Sequence, residues 1–202
     1  MRQEKALAIL KSGKNVFLTG SAGTGKTYVL NEYISYLKSR KVPVAITAST
    51  GIAATHMNGM TIHSWAGIGV KEHLTRGNLA SMKTKKYLKN HLEKVKVLII
   101  DEISMLHKNQ INLVDGVLQY FKDNDAAFGG IQVVFSGDFF QLPPIGKPGE
   151  TSKEKFSFMS EAWLRASLSV CYLTEQYRQS DNELNLILNE IRKGVISDKS
   201  YA

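Results

Sequence analysis

The stretch that most constrains the fold of this chain reads GSAGTGKT and runs from residue 20 to residue 27. Its glycines allow backbone N–H groups to converge on an anion from a tight loop, as a bound triphosphate requires. Lys26 would reach the terminal phosphates, the Thr27 hydroxyl would ligate Mg²⁺, and the following helix would direct its positive end at the anion. A predicted strand precedes the stretch and a predicted helix follows it, so the sequence predicts a phosphate-binding loop for ATP. The residues predicted to contact the nucleotide are Gly20, Ser21, Ala22, Gly23, Thr24, Gly25, Lys26 and Thr27.

The rest of the chain alternates β-rich runs with helical periodicity, which is the pattern of a parallel sheet covered by helices on both faces. The five runs read NVFLT, VPVAITA, KVLII, IQVVFS and SVCYLT, and their nearly continuous apolar character is typical of strands buried on both faces. Apolar residues at helical spacing follow Thr27 and recur from Ile111 to Phe121, and a further helix is predicted from Leu79 to Leu92. With 202 residues, 43% of them hydrophobic, we expect one α/β domain with a five-stranded parallel core sheet.

Charge and cysteine content bear on the partners and the compartment. The formal net charge of +8 favours a polyanionic partner, and the segment from Lys71 to Lys96 holds eight Lys or Arg against two Glu. That segment is by default a solvated charged face, although it could also draw in nucleic acid. The single cysteine, Cys171, is expected to be a buried strand residue. The apolar runs are strand-length and Met1 is followed by polar residues, so we expect a soluble, intracellular protein without a membrane span or targeting segment.

An acidic pair ends the third predicted strand, in the stretch VLIIDEIS. A buried strand would deliver Asp101 and Glu102 to the carboxyl edge of the sheet, the usual ligand side of open α/β folds. Asp101 would hold Mg²⁺ through its water shell, and Glu102 would orient and deprotonate an attacking water. The alternative is that the pair only caps the next helix. The phosphate loop upstream favours hydrolysis.

Two later clusters also follow predicted strands. In FSGDFFQLPPI, Gln141 could contact a γ-phosphate or the attacking water, or it could be an ordinary loop amide. In LTEQYRQ, Arg178 could neutralise the charge that develops on a transferred phosphoryl group, or it could be a surface arginine. The preceding clusters favour the catalytic interpretation of both residues.

The blocks GSAGTGKT, TASTGIAA, GMTIHSWAGIG, DEISM, FGGIQ, GDFFQLPP and LTEQYRQ follow one another along the chain. In this order they closely resemble the first motor domain of the Pif-type (petite integration frequency) DNA helicases of superfamily one, over about Gln3 to Arg192. The resemblance implies a RecA-like fold with the strand order five, one, four, three, two. It also implies ATP-driven 5′-to-3′ translocation on single-stranded DNA and unwinding, in DNA repair, recombination or telomere maintenance. Gln3 would read adenine, and the roles given above would belong to Lys26, Thr27, Asp101, Glu102, Gln141 and Arg178.

The same resemblance implies a DNA track along the block from Thr47 to Ala54. The residues that would contact DNA are Ser49, Thr50, Gly51 and His63. Hydroxyls and glycine amides can bond phosphates, and either His63 or Trp65 can stack on a base. Alternatively, His63 is a core histidine and Trp65 packs inside the protein.

Two features depart from the Pif-type pattern. The helix INLVDGVLQYFK is nearly neutral where that family usually carries basic residues, so a role that rests on such charges is not expected here. No second set of strands follows Gly194, so we expect the N-terminal motor domain of a longer protein whose second RecA-like domain is absent from this chain. Two alternatives stay open: a P-loop phosphotransferase such as a nucleoside or nucleotide kinase, and a nucleotide-gated binding module without turnover.

Overall fold

The computed structural model of the chain describes residues 1–151 and 153–176, together with Ile187, Glu190 and Gly194. The strands in this described part are β1 (Val16–Gly20), β2 (Val44–Ala48), β3 (Met60–Thr61), β4 (Val97–Asp101), β5 (Gln132–Ser136) and β6 (Ser169–Leu173). The helices are α1 (Gln3–Lys11), α2 (Lys26–Ser39), α3 (Gly51–His56), α4 (Ile62–Trp65), α5 (Arg76–Thr84), α6 (Lys86–Lys94), α7 (Lys108–Lys122) and α8 (Glu161–Arg165). None of the helices in these ranges is long and apolar enough to cross a lipid bilayer.

The strands form one sheet, in which every pair of neighbours is parallel and the order is β3-β2-β4-β5-β1-β6. The five predicted strands correspond to β1, β2, β4, β5 and β6, so the predicted α/β class and the predicted strand order are confirmed. The sheet has one more strand than the sequence predicts. The additional strand, β3, is only two residues long and pairs with β2 at the sheet edge, and so short a run carries no periodicity.

Helices cover both faces of the sheet, as predicted. On one face α1 and α2 pack against strand side chains such as Leu18, Ile99 and Val134. On the other face α4 to α8 pack against side chains such as Phe17 and Phe135. The predicted apolar stripes are buried, with the residues Val29, Leu30, Tyr33, Ile34 and Leu37 on α2, and Ile111, Val114, Leu118 and Phe121 on α7.

The single helix predicted from Leu79 to Leu92 is wrong, because the chain breaks there into α5 and α6. Lys85 separates the two helices with an extended backbone (φ −77°, ψ 104°). A straight helix would place Met82 and Leu88 about 120° apart around its axis. The break lets both of these side chains enter the same core, where they are 6% and 1% exposed.

The prediction that the fifth strand is buried on both faces is also wrong. β6 lies at the sheet edge, and its residues alternate between buried and exposed. Val170 and Tyr172 are 60% and 48% exposed, whereas the alternate residues Cys171 and Leu173 are buried. The buried position predicted for Cys171 is therefore confirmed.

Candidate functional site

The phosphate loop joins β1 to α2 at the carboxyl edge of the sheet. Gly20 ends β1 and α2 begins at Lys26, so the loop has the strand and helix context that the sequence predicts. Lys26 Nζ donates hydrogen bonds to the carbonyl oxygens of Gly20 (2.8 Å) and Ser21 (3.1 Å), which folds the ammonium group over the loop. Gly25 occupies the N-cap position of α2 and has no side chain to cap the helix. The backbone N–H groups of the first turn therefore receive no side-chain cap and can donate to a bound anion. This arrangement is suited to an anion.

Two glycines of the loop are required by packing inside the protein as well as by the shape of the loop. Gly20 has φ +150°, and a Cβ atom there would lie 2.6 Å from the Leu173 carbonyl oxygen of neighbouring β6. Gly25 has φ +82°, and a Cβ atom there would lie 2.0 Å from Nε2 of Gln3. A side chain at either position would push the loop away from the elements that support it.

Gln3, the residue predicted to read adenine, lies directly against the phosphate loop. It begins α1, and its Nε2 donates a hydrogen bond to the Thr24 carbonyl oxygen at 3.0 Å. A cavity of about 330 Å³ opens beside it and is also lined by Tyr28 and Glu175. The Tyr28 ring is 58% exposed and offers a flat apolar face to a base. Tyr28 was not predicted from the sequence, although its place directly after the loop threonine was an available signal.

The acidic pair lies at the end of β4, as predicted. Asp101 is the last residue of the strand, and Glu102 follows it with a left-handed backbone (φ 52°), an uncommon conformation that clusters at functional sites. Partial burial, and then the neighbouring charges of Asp101 and Asp138, raise the pKa of the Glu102 carboxyl, while Lys26 acts in the opposite direction. Glu102 makes no capping hydrogen bond to the short 3₁₀ turn that it precedes, so the capping interpretation is wrong for this residue.

Gln141 is held by an acidic residue, Asp138, that was not predicted from the sequence. Its Nε2 donates a hydrogen bond to Oδ2 of Asp138 at 3.0 Å, and its backbone N–H donates to the Asp138 carbonyl oxygen at 2.9 Å. Asp138 is only 4% exposed, and its charge also acts on Glu102. The amide of Gln141 is therefore held in one orientation by Asp138, at the same carboxyl edge of the sheet as the acidic pair. The signal for Asp138 was its place two residues after the last residue of β5.

The block predicted to contact DNA follows β2 at the same edge of the sheet. The Ser49 backbone N–H donates a hydrogen bond to the Asp101 carbonyl oxygen at 3.1 Å, which ties this block to the end of β4. Thr50 caps α3, since its hydroxyl accepts a hydrogen bond from the Ala53 backbone N–H at 3.3 Å. Gly51 is exposed at the first turn of that helix. The predicted DNA residues of this block are therefore adjacent to the acidic pair.

His63 lies on α4, directly after the edge strand β3. Because β3 pairs with β2, His63 lies next to the block that follows β2. Its side chain is half-buried; this burial lowers the pKa of the imidazole, and a hydrogen bond with the Gln110 side chain partly opposes the effect. Trp65 is only 6% exposed and packs against the His91 ring with a centroid distance of 5.6 Å. The packing interpretation of Trp65 is thus confirmed, and its stacking on a base is wrong.

Two further predictions concern Arg178 and the neutral helix. Arg178 lies outside the residues that the structure describes. The neutral helix is α7, and its buried Asp115 accepts a hydrogen bond from the Phe128 backbone N–H at 2.6 Å and from Arg165 at 3.3 Å. The one acidic residue in that stretch therefore supports the loop that leads into β5.

The two residues predicted to hold Mg²⁺ lie at the carboxyl edge of the sheet. Thr27 is exposed in the first turn of α2, and Asp101 ends β4. Within the described ranges, no group of three or more His, Cys, Asp or Glu side chains is arranged to bind a metal ion without other ligands. A hydroxyl and a carboxylate beside an anion-binding loop fit Mg²⁺ that is held largely by phosphate oxygens and water.

Comparison with known proteins gives one consistent family. The model of the PIF1-like helicase family matches residues 3–200. The chain is 62% identical over 199 residues to the ATP-dependent DNA helicase Pif1 of Psychrobacter sp., and 44% identical over 200 residues to the ATP-dependent DNA helicase RRM3 of Saccharomyces cerevisiae. A crystal structure of Pif1 helicase from Bacteroides in complex with ADP-AlF3 and ssDNA superposes with a TM-score of 0.84 at 33% identity.

The matches cover nearly all of this chain but only part of each relative. The chain is covered to 95% and 98% by the two helicases and spans 30% and 28% of their lengths. It is covered to 98% by the Bacteroides structure and spans 47% of that chain. The similarity therefore concerns one portion of proteins that are longer than this chain.

Proposed function

This chain belongs to the PIF1-like helicase family, and we propose that it is the ATP-binding motor domain of a DNA helicase. The helicase would couple ATP hydrolysis to 5′-to-3′ translocation on single-stranded DNA and to unwinding. ATP and single-stranded DNA are the ligands that we propose, and a nucleotide analogue and ssDNA are present together in the similar Bacteroides structure.

One observation carries this proposal: Glu102 directly follows β4 and Lys26 begins α2 after the phosphate loop, so both lie at the carboxyl edge of the sheet, where the lysine charge partly opposes the raising of the Glu102 pKa by burial. A carboxylate beside the terminal phosphates is where a group that activates water must lie. The raised pKa of Glu102 makes the carboxylate a stronger base than an ordinary glutamate.

Six of the predicted residues have a role in hydrolysis in this scheme. Lys26 would hold the terminal phosphates, and Glu102 would accept a proton from the attacking water. Gln141, oriented by Asp138, would position that water or the γ-phosphate. Arg178 would stabilise the charge on the transferred phosphoryl group. Thr27 and Asp101 would hold Mg²⁺, which would supply positive charge to the phosphates.

The adjacency of the proposed DNA block to β4 supports coupling between DNA and hydrolysis. The hydrogen bond from Ser49 N–H to the Asp101 carbonyl joins the block to the strand that carries both acids. A displacement of Thr50 or His63 by a DNA strand would therefore act on the backbone that positions Glu102. His63 is half-buried and bonds the Gln110 side chain, so part of the residue remains accessible to a nucleic acid.

The partial coverage of the relatives supports a second RecA-like domain outside this chain. In a two-domain motor the nucleotide lies between the domains, and closure around it alternates their grips on the strand. The isolated chain should therefore bind ATP, hydrolyse it slowly and not unwind DNA. Similarity to Pif1 and RRM3 helicases supports a role in repair, recombination or telomere maintenance.

The decisive experiment compares the activators of ATP hydrolysis. Single-stranded DNA should accelerate ATP loss by the full-length protein, and nucleosides should not, because a motor positions water whereas a kinase positions an acceptor hydroxyl. Lys26→Ala should abolish ATP binding in calorimetry, because the phosphates lose their fixed cation. Stimulation by a nucleoside with transfer of phosphate to it would support the kinase alternative and overturn the proposal.

A further inference from the structure

Three buried serine hydroxyls have no hydrogen-bond partner in the described part of the chain. They belong to Ser49, Ser104 and Ser136. Buried polar side chains are nearly always hydrogen-bonded, so each exception requires an explanation. All three lie at or shortly after the carboxyl ends of the adjacent strands β2, β4 and β5, which is the edge that carries the candidate site.

The sheet register fixes the direction of the Ser136 side chain. The last paired residues of β4 and β5 are Ile100 and Phe135, which both face the α7 side of the sheet. Asp101 and Ser136 come one residue later and therefore share the opposite face. On its other side Ser136 pairs with Leu18, which also packs on that face. Ser136 thus lies between Asp101 and β1, on the face from which α2 rises.

That face is where the proposed Mg²⁺ site lies. α2 packs on this face and starts with Lys26 and Thr27. Continuing the register of β4 and β5 by one residue places Asp101 beside Ser136. Ser136 is fully buried (0% exposed), so bulk solvent does not reach its hydroxyl. A hydroxyl can donate one hydrogen bond, and a carboxylate only accepts. Asp101, which follows Ile100 in β4 and faces the same way as Ser136, carries a carboxylate that can accept from this hydroxyl.

We propose that Ser136 is a positioning residue for magnesium, and that its hydroxyl donates a hydrogen bond to the Asp101 carboxylate when Mg–ATP binds. This inference rests on the proposed function. A carboxylate fixed by such a bond presents its other oxygen to the water shell of the cation in one orientation. Without nucleotide, the unsatisfied buried hydroxyl destabilises the folded protein; when Mg–ATP binds, the new hydrogen bond removes that penalty and contributes to the binding free energy.

Ser136→Ala tests this proposal through two opposite effects in the 202-residue chain. Removing an unsatisfied buried hydroxyl should raise the thermal midpoint of the nucleotide-free protein by about 2–6 °C. It should also raise by about tenfold the Mg²⁺ concentration needed for half-maximal affinity for a non-hydrolysable ATP analogue, measured by calorimetry. Binding of the analogue in EDTA should not change.

Ser160→Ala is the matched control. Ser160 is equally buried, but its hydroxyl donates to the Ser157 carbonyl oxygen (2.7 Å) and accepts from the Trp163 N–H (3.1 Å) in the helical layer on the opposite face. Its substitution should lower the thermal midpoint and leave the Mg²⁺ dependence as in the wild type.

The outcomes separate this inference from the proposed function. If Ser136→Ala stabilises the protein and leaves the Mg²⁺ dependence unchanged, the hydroxyl is only a packing defect and the inference is overturned. If Ser136→Ala destabilises the protein, the hydroxyl has a structural partner and the inference is likewise overturned. If the wild type binds the analogue neither with Mg²⁺ nor without it, the proposed function fails and the inference fails with it.

Discussion

Replacing Glu102 with glutamine should make the folded protein more stable while it removes ATP hydrolysis. The side chain is half-buried and its negative charge faces those of Asp101 and Asp138, against a single opposing charge from Lys26. Two unit charges about 6 Å apart interact by about 3 kcal/mol at an effective dielectric constant of about 20. Solvent screening and the lysine reduce this, and we expect a net gain of about 1 kcal/mol at pH 7, or about 2–4 °C in thermal midpoint.

The sign of the pH dependence follows from the direction of the pKa shift. The pKa of Glu102 in the folded protein lies above its ordinary value of 4.5, so the folded state binds the proton more tightly than the unfolded state. The wild type should therefore gain stability from this group as the pH falls through the folded-state pKa. The advantage of Glu102→Gln should be greatest above that pKa and should vanish below about pH 4.5.

Thermal unfolding followed by circular dichroism between pH 4 and 8 measures this difference. Glu161→Gln is the control, because Glu161 is exposed in the first turn of α8, where removing a negative charge should be neutral or slightly destabilising. Steady-state hydrolysis by the full-length protein should fall by about 10²- to 10⁴-fold in Glu102→Gln, as expected when a general base is lost. A less stable Glu102→Gln protein, or one that retains hydrolysis, would refute the reasoning.

Two other predictions concern the nucleotide and the DNA. Gly25→Ala should weaken ATP binding by about tenfold or more in calorimetry, because the residue has φ +82° and a Cβ atom there would displace Gln3. Gly116→Ala is the control: a Cβ atom at this position of α7 meets open space, so ATP binding should not change. Single-stranded DNA should bind with a log affinity that falls by about 0.7 per contacted phosphate against log salt, measured by fluorescence anisotropy. Thr50→Ala or His63→Ala should weaken this binding equally for every sequence, and an affinity independent of salt would contradict backbone contacts.

The sheet was predictable because its strands follow simple rules. A parallel strand buried on both faces is a continuous apolar run, and β4, from Val97 to Asp101, is fully buried. β6 has the same apolar composition, but its place at the edge depends on the order of the strands and not on its own residues. The break at Lys85 likewise depends on burying Met82 and Leu88 together, which helical periodicity within one segment does not reveal.

Some residues of the candidate site could likewise be predicted from the sequence and others could not. Lys26, Asp101 and Glu102 could be found because each follows a recognisable strand, and strand ends meet at one edge of a parallel sheet. Asp138 is held within its own loop by a hydrogen bond from Gln141, and its place shortly after β5 was a signal in the sequence. Ser136 matters because it lies on the same face of the sheet as Asp101, and this placement requires the register of β4 against β5, which the sequence does not contain.

The measurement that tests the account most directly is strand displacement on a duplex with a 5′ single-stranded tail. The full-length protein should unwind this substrate with ATP, should fail on the same duplex with a 3′ tail, and should lose the activity with Lys26→Ala. Residues 1–202 alone should bind ATP and displace no strand, because one domain has nothing to close against. ATP-dependent unwinding by residues 1–202 alone, or by the Lys26→Ala protein, would contradict the account of this chain as one half of an ATP-driven motor.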